Sequence, residues 1–140
     1  GPVVAPGAEA APKAGELAWQ AWSPEKVREI TASGKPVFVD FTAAWCVTCQ
    51  VNKRVALNNA DVVKAFAAHD VTALKADWTR QDPRITAELA SLGRNAVPVY
   101  AIYLPGGEAP RLLPELLTPS LVLEEVSRLP AKRTTAITQR

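Results

Sequence analysis

The chain has 140 residues, 48% of them hydrophobic, which is enough for one domain with a real core and too little for a second. Sixteen Lys and Arg stand interspersed with 14 Asp and Glu, a formal charge of +2, and this balance argues against a nucleic-acid footprint. The longest apolar runs, such as 97–104, fall far short of the roughly 18 residues a membrane span needs, so the expectation is a soluble, monomeric domain.

Residues 1–16 are rich in Ala, Pro and Gly with few large apolar side chains, a composition that does not offset the entropy of ordering. They read as a linker, with Gly1-Pro2 as the scar of a removed tag; the folded domain is expected over 17–130 and a flexible tail over 131–140. A linker at the front of such a domain hints at a further segment upstream. Ser23-Pro24 places a capping hydroxyl before a Pro at the first helical position, and the helix it opens is predicted to end at Ser33, before Gly34. A strand follows over 37–42. Val37-Phe38-Val39 is apolar at consecutive positions, as in a central strand covered on both faces.

Residues 47–57 are able to continue as helix, and Asp61 is a candidate cap for another helix running through His69. A strand is expected over 71–76. Asp82-Pro83 repeats the cap-and-Pro signature, and so does Thr118-Pro119, which opens a closing helix to about Leu129. Between them lie a strand over 99–104, a turn at Pro105-Gly106-Gly107 and a short strand near 111–113. This order of helices and strands describes a compact α/β sandwich.

The chain has only two cysteines, too few for a disulfide framework or a complete tetrahedral zinc site. Both fall in Trp45-Cys46-Val47-Thr48-Cys49, directly after the strand over 37–42. Cys46 is thereby placed at a helix N-terminus, where unpaired backbone N–H groups and the helix dipole favour a thiolate, with a pKa below the usual value of about 8.5. Cys49 lies one turn on, close enough to bond to it. The chemistry implied is attack by Cys46 on a partner disulfide, followed by resolution when Cys49 attacks the Cys46 sulfur. Taken alone, the same pair is also compatible with a structural disulfide or half of a metal site shared between chains.

Val39-Asp40-Phe41 followed by Ala44-Trp45-Cys46 resembles the strand and active-site run of the thioredoxin superfamily. That resemblance implies a thioredoxin-like α/β fold, a central mixed β-sheet flanked by helices on both faces, with no cofactor or metal beyond the Cys46–Cys49 disulfide. It assigns Asp40 and Lys75 to proton transfer and pKa tuning at the resolving cysteine, and it makes Val97-Pro98 the X-Pro bond that is cis and receives a partner's chain, with Trp45 beside it. Within the superfamily the chain is most similar to the C-terminal periplasmic domain of transmembrane disulfide reductases of the DsbD and ScsB type. The phrases carrying this likeness run from Gly34 to Thr42, over Trp45 to Cys49, over Lys75 to Thr79, over Val97 to Tyr100, and over Leu112-Leu113-Pro114-Glu115.

The likeness implies a periplasmic domain of an inner-membrane protein that accepts electrons from a membrane-embedded domain of the same polypeptide and reduces thioredoxin-like or other disulfide-bearing periplasmic proteins. Two departures stand out: the dipeptide between the cysteines is Val-Thr rather than Gly-Pro, and Lys53 follows Cys49 by one turn, where a cation facing the site favours thiolate forms. Trp45 covers the disulfide and contacts partners, or it simply packs. Trp19, Trp22 and Trp78 read as core or rim, and Tyr100 and Tyr103 as packed on a strand. Glu88 and Asp77 read as solvated charges rather than proton carriers, and His69 has no catalytic role. The direction of electron flow stays open between a reductase and an oxidase or isomerase, and a non-redox binding module of the same fold is the remaining alternative.

Overall fold

The computed structural model describes residues 12–13 and 15–132; the tag scar, most of the expected linker and most of the expected tail lie outside the described residues. Five strands form one mixed sheet: β1 (Gln20–Ala21), β2 (Val37–Thr42), β3 (Thr72–Asp77), β4 (Val99–Tyr103) and β5 (Arg111–Leu112), in spatial order β1-β3-β2-β4-β5. β3 runs parallel to both β1 and β2, while β4 is antiparallel to β2 and β5. The helices are α1 (Pro24–Ala32), α2 (Val47–Asn52), α3 (Ala60–Ala68), α4 (Pro83–Ser91) and α5 (Pro119–Ser127).

β2 is the centre of the sheet because its side chains are apolar on both faces. Phe38 joins Leu57, Val62, Phe66, Tyr100, Ile102, Val122 and Val126 in the core under α3 and α5. Val37, Val39 and Phe41 point the other way, to Val27 of α1, Ile85 and Leu89 of α4 and Trp78. Burial of such side chains contributes about 1.5–3 kcal/mol each, and two cores back to back fix the strand between them. Tyr100 and Tyr103 of β4 divide between the same two faces.

The three cap-and-Pro starts are all present. Ser23 accepts the Lys26 N–H, Asp82 the Arg84 N–H and Thr118 the Leu121 N–H. Gly34 has φ +94°, which ends α1 as its lack of a Cβ allows. Three elements differ from expectation. Asn59, not Asp61, caps α3, its side chain accepting from the N–H groups of Asp61 and Val62. The helix expected over 47–57 changes form after Asn52, where residues Lys53–Leu57 make a π-helical turn. β1 was not expected, since its two residues are exposed and carry no apolar pattern; it is held by backbone pairing to β3 alone.

Candidate active site

Cys46 follows the carboxyl end of β2, where the open side of an α/β sheet offers room for a ligand or partner, and it is the N-cap residue of α2. Its backbone is extended, and the Cys49 N–H donates to its Sγ at 3.1 Å. The sulfur thus occupies the place that a serine or aspartate oxygen takes in an ordinary cap. Cys46 and Cys49 are joined by a disulfide with Cα atoms 5.2 Å apart. Only 7% of Cys46 is accessible, against 3% of Cys49. The reason is packing: Ala43 and Val97 lie against the bonded pair, and Cys46 is the more accessible residue of the two.

Val97-Pro98 is a cis peptide, and its Val97 is the side chain laid against the disulfide. Trp45 is half exposed, its ring 6.1 Å from that of the buried Trp78. Its indole N–H donates to the Thr79 carbonyl at 3.0 Å, and the Ala44 N–H donates to the Thr79 hydroxyl at 2.8 Å. Asp77 in turn accepts from the Thr79 N–H. Thr79 therefore pins the loop that carries Trp45, a role the sequence does not announce except through the short Asp-x-Thr spacing of a side-chain-capped turn.

The charged part of the site is carried by the neighbouring strands. Strand register sets Asp40 of β2 opposite Lys75 of β3 on one side and Tyr100 of β4 on the other. Asp40 is buried, and its Oδ1 accepts no hydrogen bond. Burial pushes its carboxyl up from 3.8 to about 7, with Lys75 and Lys53 pulling in the opposite direction. The Tyr100 phenol is likewise raised, by burial first and by the neighbouring Asp40 charge second. Asp40, Lys53 and Lys75 line one cavity of about 180 Å³ together with Trp19, Gln50 and Asp77. Lys53 therefore shares a cavity with Asp40 and Lys75, and neither cysteine is part of its lining.

Asn52 was missed by the sequence reading. It is buried, donates to the Tyr100 hydroxyl at 2.9 Å and the Glu115 carbonyl at 2.7 Å, and accepts from the Leu117 N–H at 3.1 Å. These bonds tie α2 to the chain before α5, and nothing in an isolated Asn after Val51 reveals that. Glu88 lies elsewhere, accepting the hydroxyl of Tyr103, whose partner in the sheet is Val37 at the far end of β2. His69 is also remote, its Nδ1 3.0 Å from the Pro130 carbonyl. Among the described residues no three of His, Cys, Asp and Glu cluster as a metal site, and no helix is long and apolar enough to cross a membrane.

A mixed sheet with a bonded Cys-x-x-Cys pair at the mouth of a helix and a cis proline laid beside it defines a thioredoxin-fold domain equipped for thiol:disulfide interchange. The chain belongs to the thioredoxin-like family, whose model matches residues 18–105. Over 55 residues it is 47% identical to the thiol:disulfide interchange protein DsbD of Ralstonia nicotianae, a match covering 39% of this chain and 9% of that protein. Over 74 residues it is 32% identical to DsbD of Escherichia coli K12, covering 53% of this chain and 13% of that protein. The chain thus matches only about a tenth of the length of these curated relatives. Among solved structures, the reduced C-terminal domain of DsbD from Neisseria meningitidis aligns with a TM-score of 0.63 at 20% identity, covering 76% of this chain and 96% of that one. A thioredoxin from Thermus thermophilus also gives 0.63, at 19% identity, covering 81% and 86%. At these identities the two structures speak for the fold.

Proposed function

We propose that the domain is a protein-disulfide reductase that passes electrons from a membrane-embedded domain of its own polypeptide to disulfide-bearing proteins of the periplasm. The observation that carries this reading is the Cys46 sulfur capping α2 and accepting the Cys49 N–H, with the Asp40 carboxyl buried in the strand that leads into this turn. In the dithiol state Cys46, as thiolate, attacks one sulfur of the partner's disulfide; a mixed disulfide forms and the partner's second sulfur leaves as thiolate. Cys49 then gives its proton to Asp40, with Lys75 tuning that carboxylate, and attacks Cys46 Sγ. The Cys46–Cys49 bond forms, the mixed bond breaks, and the partner departs with both of its sulfurs reduced.

Trp45 and the cis Val97-Pro98 bond form the two lips that receive the partner's chain. Residues 17–130 constitute the working domain, 1–16 a tether to the upstream membrane segment and 131–140 a tail. The matches to DsbD proteins support the inner-membrane and periplasmic setting, where disulfide exchange between carriers is sustained.

The test is covalent capture in periplasmic extract. Cys49→Ala, reduced and exposed to oxidised periplasmic proteins, is expected to accumulate a dithiothreitol-sensitive adduct through Cys46, while Cys46→Ala captures nothing and reduces no partner. If Cys46→Ala reduced partners as fast as the parent domain, the redox reading would be lost and a binding module would remain. A reduction potential near −270 mV agrees with the reductase direction, whereas one near −120 mV reverses it.

A further inference from the structure

Among the described residues the large apolar side chains left exposed are Trp45, Val47, Val51, Val55 and Leu116. Apolar residues spread singly over a surface are ordinary, but these share one region. Trp45 precedes the N-cap Cys46, and Val47 and Val51 stand four apart on the outer face of α2. Val55 follows four further on, in the π-helical turn. Leu116 is remote in sequence, yet Asn52 of α2 brackets it, donating to the Glu115 carbonyl at 2.7 Å and accepting the Leu117 N–H at 3.1 Å. Asn52 is buried and also donates to the Tyr100 hydroxyl, so helix and loop are held as one piece.

We propose that the stripe of Val51, Val55 and Leu116 is the docking face for a folded, freely diffusing acceptor protein with an apolar patch beside its own disulfide, and that the membrane-embedded donor does not depend on it. From Val47 to Val55 the stripe runs about 12 Å along the helix, away from the disulfide. A small disulfide reaches Cys46 without touching its far end, whereas a folded body seated on Cys46 has surface to lay along it. The choice between the two partners follows from concentration. A donor in the same polypeptide, joined through residues 1–16, meets the disulfide at an effective concentration in the millimolar range and gains little from added contact. An acceptor arriving from solution has no such advantage, and buried apolar surface is what holds it until Cys46 attacks. This inference rests on the reductase reading, which supplies the two partners.

The test uses Val51→Gln/Val55→Gln and Leu116→Gln, which remove apolar surface at exposed positions, and Val51→Ile/Val55→Ile, which keeps it. Gln is at least as good a helix former as Val, so the fold is retained. Reaction of the reduced domain with 5,5′-dithiobis(2-nitrobenzoate), a small disulfide, is expected to be the same in every variant. With native insulin, a folded disulfide protein, kcat/KM is expected to fall about tenfold in the glutamine variants, through KM, and to hold in the isoleucine variant. In cells carrying the full-length protein, acid quenching and thiol alkylation read the state of Cys46 and Cys49. The glutamine variants are expected to accumulate the dithiol, because the donor still loads the domain and the acceptor no longer unloads it. Accumulation of the disulfide overturns the assignment and gives the stripe to the donor. An insulin KM and a cellular redox state that both stay put remove the stripe as a docking face. A small disulfide slowed by the same factor as insulin removes it too, since these residues then act on Cys46 rather than on a partner. None of these outcomes touches the reductase reading, which is lost only if Cys46→Ala still reduces partners.

Discussion

Asp40 shows how a single residue trades stability for chemistry. Its folded-state value of about 7 lies above the ordinary 3.8 because burial disfavours the charge. A raised value means that the folded protein holds a proton the unfolded chain has released. Stability from this group is therefore complete below about pH 4, falls as pH rises toward 7 and is level beyond that. Asp40→Asn, neutral throughout, is expected to unfold at higher urea than the parent at pH 8, by roughly 2–4 kcal/mol, and to differ little near pH 4. Parallel urea titrations of the oxidised proteins at pH 4, 6 and 8 measure this; an equal pH slope in both proteins shows that Asp40 is ionised in the fold at no unusual cost. Asp40 was legible as a candidate through the family resemblance, which its place six residues before Cys46 carries. Its two cross-strand neighbours were less so. Lys75 needed the family phrase, and the Tyr100–Asn52 bond joins residues whose pairing is set by helix–sheet packing rather than by any local pattern.

Among the elements, those readable from sequence were the ones whose cause is local. Ser23-Pro24, Asp82-Pro83 and Thr118-Pro119 each combine a side-chain acceptor with a residue already bent for a helix, so the starts of α1, α4 and α5 follow from two adjacent residues. The start of α3 does not, because both Asn59 and Asp61 are capable of capping. What decides between them is the π-helical turn before: by closing at Asn58 it brings Asn59 to an extended conformation with its Oδ1 over two N–H groups. Asp61 is left inside the first turn, where its charge merely complements the helix dipole. Asn59→Ala is accordingly expected to destabilise the domain by about 1 kcal/mol. Asp61→Ala should cost only a few tenths at moderate salt. Urea midpoints of the two variants decide the assignment, and a larger loss from Asp61→Ala would return the cap to it. β1 escaped notice for a related reason: two exposed residues held only by backbone bonds to β3 leave no hydrophobic signature.

For the whole molecule, fold stability and disulfide chemistry are two sides of one thermodynamic cycle. Whichever redox form the fold prefers over the unfolded chain, it prefers by the same free energy that separates their reduction potentials. About 30 mV corresponds to 1.4 kcal/mol, so the interval from a thioredoxin-like to a DsbA-like potential, −270 to −120 mV, amounts to about 7 kcal/mol. That gap is comparable with the entire stability of a domain of this size, and the two directions of electron flow therefore predict different unfolding behaviour. The site contains opposing contributions. The helix mouth and the Cys49 N–H favour a Cys46 thiolate, whereas the low-dielectric surroundings that raise Asp40 disfavour a further negative charge. Closing the short Cys46–Cys49 loop itself restrains the unfolded chain by on the order of 2 kcal/mol. A domain that donates electrons needs the dithiol to be the less favoured state of the fold. The oxidised protein is thus expected to unfold at a higher urea concentration than the dithiol form at pH 7, with an unchanged slope against urea, since the same surface is exposed in both. If the dithiol form instead proves the more stable by several kcal/mol, the thiolate-stabilising groups prevail and the domain runs as an oxidant, with its exchange chemistry intact and its direction reversed.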